Sequence, residues 1–109
     1  MRYAGTQQRV TEPRTGSGQG VFVPGEWRSL ATGLGLSPRE CGIVRCVFDG
    51  ASEKRIAERL GLSPHTVHTY LWRIYRKLHV QSRQELLVRV FAEFRSLAPG
   101  VTAVNAHNA

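Results

Sequence analysis

Acidic residues are scarce in this chain. Eight Asp and Glu stand against fifteen Lys and Arg among 109 residues, a formal charge of +7 at neutral pH. The balance favours a polyanionic partner, with nucleic acid first and a membrane surface second. Cysteine is almost as rare. Cys41 and Cys46 lie five apart on one expected helix, and no further Cys completes a zinc quartet. They read as small buried thiols, which suits a reducing compartment. No apolar run reaches the length of a bilayer span, and the N-terminus lacks the basic-then-apolar order of a secretory signal. A cytoplasmic protein is expected.

The residue sets of catalysis are missing as well. No Gly-rich phosphate loop follows a strand, and no Ser, His and acid combination suggests itself. His65, His68, His79 and His107 do not assemble into metal spacing with carboxylates; His65 and His68 share a helical face that reads as solvated or DNA-facing. We therefore expect no enzyme activity, no metal, no cofactor and no small-molecule ligand.

What is present is a punctuated helical pattern. "LGLSP" occurs at Leu34 to Pro38 and again at Leu60 to Pro64. Each copy sets Ser as an N-cap ahead of Pro, which has no N–H to leave unsatisfied at the first helical position. The neighbourhoods share nothing else, so this is one start signal used twice and not a repeated unit. Glu40 follows Ser37 by three residues and Glu85 follows Ser82 likewise, the spacing of reciprocal caps; Ser52 opens another helix, and Gly61 ends one. The expected helices cover about 38–48, 53–60, 64–78 and 83–96. Apolar stripes give them a shared core: Cys41, Val44, Val47 and Phe48; Ile56, Ala57 and Leu60; Val67, Leu71, Ile74 and Leu78; Leu86, Leu87, Val90, Phe91 and Phe94. Upstream, Trp27, Leu30, Ala31 and Leu34 fit either an extra short helix at about 26–33 or a linker with one anchored Trp.

The fold class is therefore all-α, a small helical domain over 24–97. Residues 1–23 are polar and Gly-rich and read as a flexible arm; 98–109, behind a Pro-Gly stop, read as a flexible tail. Only "GLS" separates the second and third of the four main helices, a connection that forces a bend of helix-turn-helix type. From Arg59 to Gln84 there is no acidic residue, and opposite its core stripe the third helix offers His65, His68, Thr69, Trp72, Arg73 and Arg76. Positive charge mixed with groups able to touch base edges predicts a recognition face for double-stranded DNA.

The stretch "LSPRECGIVRCVFDGASEKRIAERLGLSPHTVHTYLWRIYRKLHVQSRQELLVRV" resembles the DNA-binding domain of LuxR/NarL-type (GerE-like) bacterial transcription regulators. Its landmarks are the "LSPRE" opening, "GAS", "SPHTV", "KLHV" and "SRQE", and they span about half the chain. The resemblance implies a four-helix fold and transcriptional regulation, with the helix at 64–78 in the major groove and a last helix that commonly pairs with its twin in a dimer. Carried over, the base-reading positions are His68, Thr69 and Trp72, with backbone contacts from Lys54, Ser63, Thr66, Arg76 and Lys77. His65, beside Thr66 in the first turn, is added to the backbone set.

Departures from the family pattern shape the expectation further. His68 stands where Lys is usual, a side chain whose common neutral-pH form is uncharged, so a weaker and pH-sensitive contact is expected. Trp72 stands where Lys or Arg is usual and offers one N–H and a large ring, which rules out bidentate reading of guanine. Arg73 is therefore given a share of the reading. The same substitutions support an alternative: Trp72 beside Tyr75 and Arg76 has the composition of a protein-docking hot spot, so the module would have diverged to protein–protein interaction. A sigma-factor-like helix-turn-helix ranks behind both.

Val88, Phe91 and Phe94 exceed what a small core needs and predict a dimer interface, with two recognition helices about 34 Å apart on an inverted repeat. The competing expectation is that the N-terminal helix with Trp27 covers that patch and keeps the chain monomeric. The family often joins this domain to a receiver or sensor, and nothing of that size precedes residue 24 here; the chain is a stand-alone regulator, which Met1 favours, or one piece of a longer protein.

Overall fold

A computed structural model describes residues 20–97 of the chain. Its elements are α1 (Pro24–Leu34), α2 (Pro38–Phe48), α3 (Glu53–Leu60), α4 (Pro64–Leu78) and α5 (Arg83–Leu97), with no strand among the described residues. The all-α expectation holds, and of the two readings of the Trp27 segment the helix is the one observed. It begins two residues before the expected position because Val23 donates its backbone N–H to the Glu26 carboxylate at 3.0 Å and Pro24 fills the first helical position.

Serine caps the four remaining helices. Ser37 Oγ accepts the Glu40 N–H at 3.1 Å while Glu40 Oε1 accepts the Ser37 N–H at 2.9 Å, a reciprocal box. Ser52 accepts from Arg55, Ser63 from Thr66 and Ser82 from Glu85, each at 3.0 to 3.1 Å. At α5 the return bond differs from expectation, since the Glu85 carboxylate accepts the N–H of Gln81 at 2.8 Å. Between α3 and α4, Gly61 takes φ +68° and the Leu62 N–H returns to the Ala57 carbonyl at 2.9 Å. Glycine enters that left-handed conformation without a Cβ clash, which makes the abrupt turn possible.

α4 lies at the centre, packed against α2, α3 and α5. Val67, Leu71, Ile74 and Leu78 are buried along one stripe, as their spacing predicts, and Cys41 and Cys46 are buried free thiols. Burial pushes the Cys41 thiol up from its ordinary value.

The boundary at residue 23 needs correction. Phe22, assigned to the flexible arm, is 2% exposed. Its ring centroid lies 4.8 to 5.5 Å from those of Trp27, Phe48, Phe91 and Phe94. Four large rings in reach offset the entropy of ordering one side chain, which a polar arm cannot do. α1 packs chiefly on α5, so the N-terminal segment covers part of the apolar face assigned to a partner subunit. The arm over residues 1–19 and the tail over 98–109 lie outside the described residues.

Candidate nucleic-acid interface

The outward face of α4 follows from its inward one. With Val67, Leu71, Ile74 and Leu78 committed to the core, a period of 3.6 turns His65, Thr69, Trp72, Arg73 and Arg76 to the opposite side, and all five are exposed. His68, Thr69, Trp72, Arg73 and Arg76 line one shallow depression. A second depression beside it is lined by Trp72, Tyr75, Arg76, His79, Val80 and Gln81. Partial burial raises the Tyr75 phenol above its usual value, so it stays an O–H at neutral pH.

The polar groups at the start of α4 are arranged as the first-turn role requires. The Ser63 hydroxyl accepts the Thr66 N–H and donates to Thr66 Oγ1 at 2.9 Å, which leaves the Thr66 hydroxyl hydrogen available to an outside acceptor. Helix N-terminal N–H groups beside such a donor suit a phosphate oxygen. His65 is exposed in the same turn, and Lys54 is exposed in the first turn of α3. Thr69 donates its hydroxyl to the His65 carbonyl at 3.1 Å, so it faces outward with its methyl and an acceptor lone pair.

Two assigned contact residues are engaged within the chain. Lys77 Nζ lies 2.6 Å from Glu40 Oε1 and 2.9 Å from the Gly35 carbonyl oxygen. At the flank of α4, it reaches back to the α1–α2 joint instead of out toward a phosphate. His68 sits on the other flank. Its Nδ1 lies 3.2 Å from the Glu53 carboxylate, and Trp72 Nε1 donates to its Nε2 at 2.8 Å. An indole N–H can only donate, so His68 Nε2 carries the lone pair and Nδ1 the proton that Glu53 accepts. Both ring nitrogens are thereby occupied, and in this arrangement His68 has none left for a base.

Other cations divide in the same way. Arg59 pairs with Asp49 at 2.8 Å, a hydrogen bond that raises the guanidinium above its usual value, and Arg83 donates to the Ala51 carbonyl. Arg73 lies over the Tyr70 ring at 5.2 Å while remaining exposed. Arg76 makes no ion pair among the described residues. Of the one-sign stretch, Arg73 and Arg76 are the arginines held outward on α4.

Glu53 is the participant that sequence reasoning missed. Nothing linear connects it to His68, fifteen residues away. On α5, Val88 is 68% and Phe91 45% exposed, while Phe94 is half-buried against the core. Among the described residues no group of His, Cys, Asp and Glu is arranged to hold a metal ion, and no helix is long and apolar enough to cross a membrane.

A serine-capped helix presented across a glycine turn, with a cationic outer face, defines a helix-turn-helix domain. Residues 34–90, just over half of the chain, match the family of bacterial regulatory proteins known as the luxR family, and the chain belongs to it. A Mycobacterium tuberculosis protein named as an HTH-type transcriptional regulator is 47% identical over 64 residues, 58% of this chain and 7% of that protein. The transcriptional regulatory protein FixJ of Azorhizobium caulinodans is 40% identical over 53 residues, 49% of this chain and 25% of its own. The response regulator UvrY of Escherichia coli is 39% identical over 51 residues, 47% of this chain and 23% of its own. The chain thus spans a quarter or less of the length of these three relatives. No solved structure matches significantly.

Proposed function

We propose that this chain is a sequence-specific DNA-binding transcription regulator that inserts α4 into the major groove. The observation that carries the reading is the outer face of α4: Thr69, Trp72, Arg73 and Arg76 converge on one depression, with Arg73 and Arg76 turned outward. Membership of the luxR family and the names of the three relatives support it. Thr69, Trp72 and Arg73 read bases; Lys54, Ser63, His65, Thr66 and Arg76 hold the phosphate backbone. Lys77 is withdrawn from that set and His68 from direct reading, because their polar atoms are engaged elsewhere. The protein acts in the cytoplasm as a homodimer through the part of α5 that α1 leaves open, with Val88 at its centre and Phe91 and Phe94 at its edge. It is not an enzyme.

Binding to a random-sequence duplex pool, titrated over several salt concentrations, tests the reading. Affinity falls steeply with salt, and Arg76→Ala lowers the slope by about one. No binding at low salt would overturn it. One observation favours a second reading: Trp72 is 53% exposed beside Tyr75, with ring centroids 6.0 Å apart, the make-up of a protein-docking hot spot. On that reading the wild type binds no duplex at low salt, and Trp72→Ala removes a protein partner.

A further inference from the structure

The chain of contacts from α3 to the outer face of α4 points to a residue role beyond the family's contact set. We propose that Glu53 is a positioning residue that, through His68, fixes the Trp72 ring as an apolar reader of a thymine 5-methyl group. The inference rests on the DNA-binding reading above.

Trp72 has one polar atom, and its N–H is donated to His68 Nε2 at 2.8 Å. That bond requires the lone pair on Nε2, hence the proton on Nδ1, and Glu53 accepts that proton's hydrogen bond with both carboxylate oxygens, 3.2 and 3.3 Å away. Trp72 and His68 therefore bring no free donor to a base edge, and what Trp72 presents outward is ring. The ring is also held sideways. The His68 ring lies 6.1 Å from it at 73° and the Tyr75 ring 6.0 Å away at 66°, one turn before and one turn after. A large side chain at an exposed position ordinarily samples several rotamers; here His68 and Tyr75 restrict it.

The floor of the adjoining depression has matching chemistry. Thr69, which lines the same depression as Trp72, has its hydroxyl hydrogen turned to the His65 carbonyl, so it brings a methyl group and no free donor to that space. A ring beside a methyl group complements the C5-methyl of thymine, the one apolar feature that bases present in the major groove. Arg73 and Arg76 flank the depression and remain available for guanine or phosphate.

A carboxylate at the edge of a phosphate-binding surface repels DNA, and removing it would raise general affinity. The place of Glu53 at that edge is accounted for by the His68 bond, which a neutral amide oxygen could also accept. Charge and positioning are therefore separable by substitution.

The experiment uses the highest-affinity duplex selected from the random pool. Each thymine is replaced in turn by deoxyuridine, which lacks only the methyl group, and binding is measured for the wild type, Glu53→Gln, Glu53→Ala and Trp72→Ala with melting temperatures alongside. One position is expected at which the wild type and Glu53→Gln lose about fourfold on demethylation, while Glu53→Ala and Trp72→Ala lose little. Glu53→Gln binds the fully methylated duplex more tightly than the wild type at low salt, and Glu53→Ala binds it less tightly than Glu53→Gln. Indifference of the wild type at every thymine, full discrimination retained by Glu53→Ala, or equal loss of it in both Glu53 variants overturns the proposal. A wild type that binds no duplex at low salt overturns instead the DNA reading beneath it.

Discussion

Lys77 Nζ lies 2.6 Å from Glu40 Oε1, and that contact decides what the last turn of α4 does. Glu40 is 4% exposed, caps α2 through the Ser37 N–H, and receives the ammonium of a helix 37 residues further along the chain. A cation that the family pattern sets on the DNA backbone is here a clasp between α4 and the α1–α2 joint.

Lys77→Met therefore acts on the fold. It leaves a buried carboxylate with its cation removed, which destabilises the domain by about 2 kcal/mol and lowers the melting temperature by about 8 to 16 °C. Below that temperature the salt slope of duplex binding stays at the wild-type value. Unchanged melting with a slope reduced by about one would return Lys77 to the phosphate set.

The same clasp sets an acid limit. Burial alone would raise the Glu40 carboxyl, but the Lys77 hydrogen bond, the Ser37 N–H, the Lys77 charge and the Ser37 hydroxyl outweigh it and hold the carboxyl below its ordinary value of 4.5. A depressed folded-state value means the stability is fully present above the unfolded value and is lost as pH falls through the folded one. Thermal melts of the wild type and Glu40→Gln between pH 6 and pH 2 are expected to converge as acid is added, starting near pH 4.5. A constant gap between the two curves would show that the charge of Glu40 contributes nothing.

Thr66→Val keeps the shape of the first turn of α4 and removes the hydroxyl that Ser63 orients. Duplex affinity is expected to fall about fivefold to tenfold, equally for every sequence, because a phosphate contact carries no base information. A loss confined to particular sequences in a competition assay would make Thr66 a reader.

On α5, Val88 is 68% exposed, so Val88→Asp should leave the packing of the single chain intact while converting the proposed dimer to a monomer in sedimentation, with melting lowered only by the loss of the partner and no longer dependent on concentration. Phe91→Asp is a poorer probe, since the Phe91 ring lies 5.4 Å from Phe22 and 5.5 Å from Phe48 and its loss also disturbs the core. A Val88→Asp variant that still sediments as a dimer removes this face from the interface.

Phe22→Ala tests the N-terminal boundary. Truncating a side chain that is 2% exposed among four rings costs about 3 to 5 kcal/mol, enough to lower the melting temperature by more than 10 °C. An unaltered melting curve would return Phe22 to the arm.

The helix starts were legible because a cap is a local event. Ser37, Ser52, Ser63 and Ser82 each bind an N–H three residues on, so the signal and its partner sit in one short window. The α4 core stripe and the outward set His65, Thr69, Trp72, Arg73 and Arg76 were equally legible, because 3.6 residues per turn fixes which side chains share a face. The glycine turn followed from the need for positive φ at Gly61.

Which polar atoms remain free on that face was decided by the tertiary structure alone. Lys77 and Arg76 are neighbours of the same charge, yet Lys77 meets Glu40 from α2 while Arg76 stays open. His68 looked like a base reader until α3 brought Glu53 against one ring nitrogen and the turn below brought Trp72 against the other. Phe22 looked like part of an arm until the packing of α1 on α5 set four rings around it. Periodicity assigns a side chain to a face, but an ion pair or ring contact between distant segments depends on how whole helices are placed, and the packing of all five sets that placement.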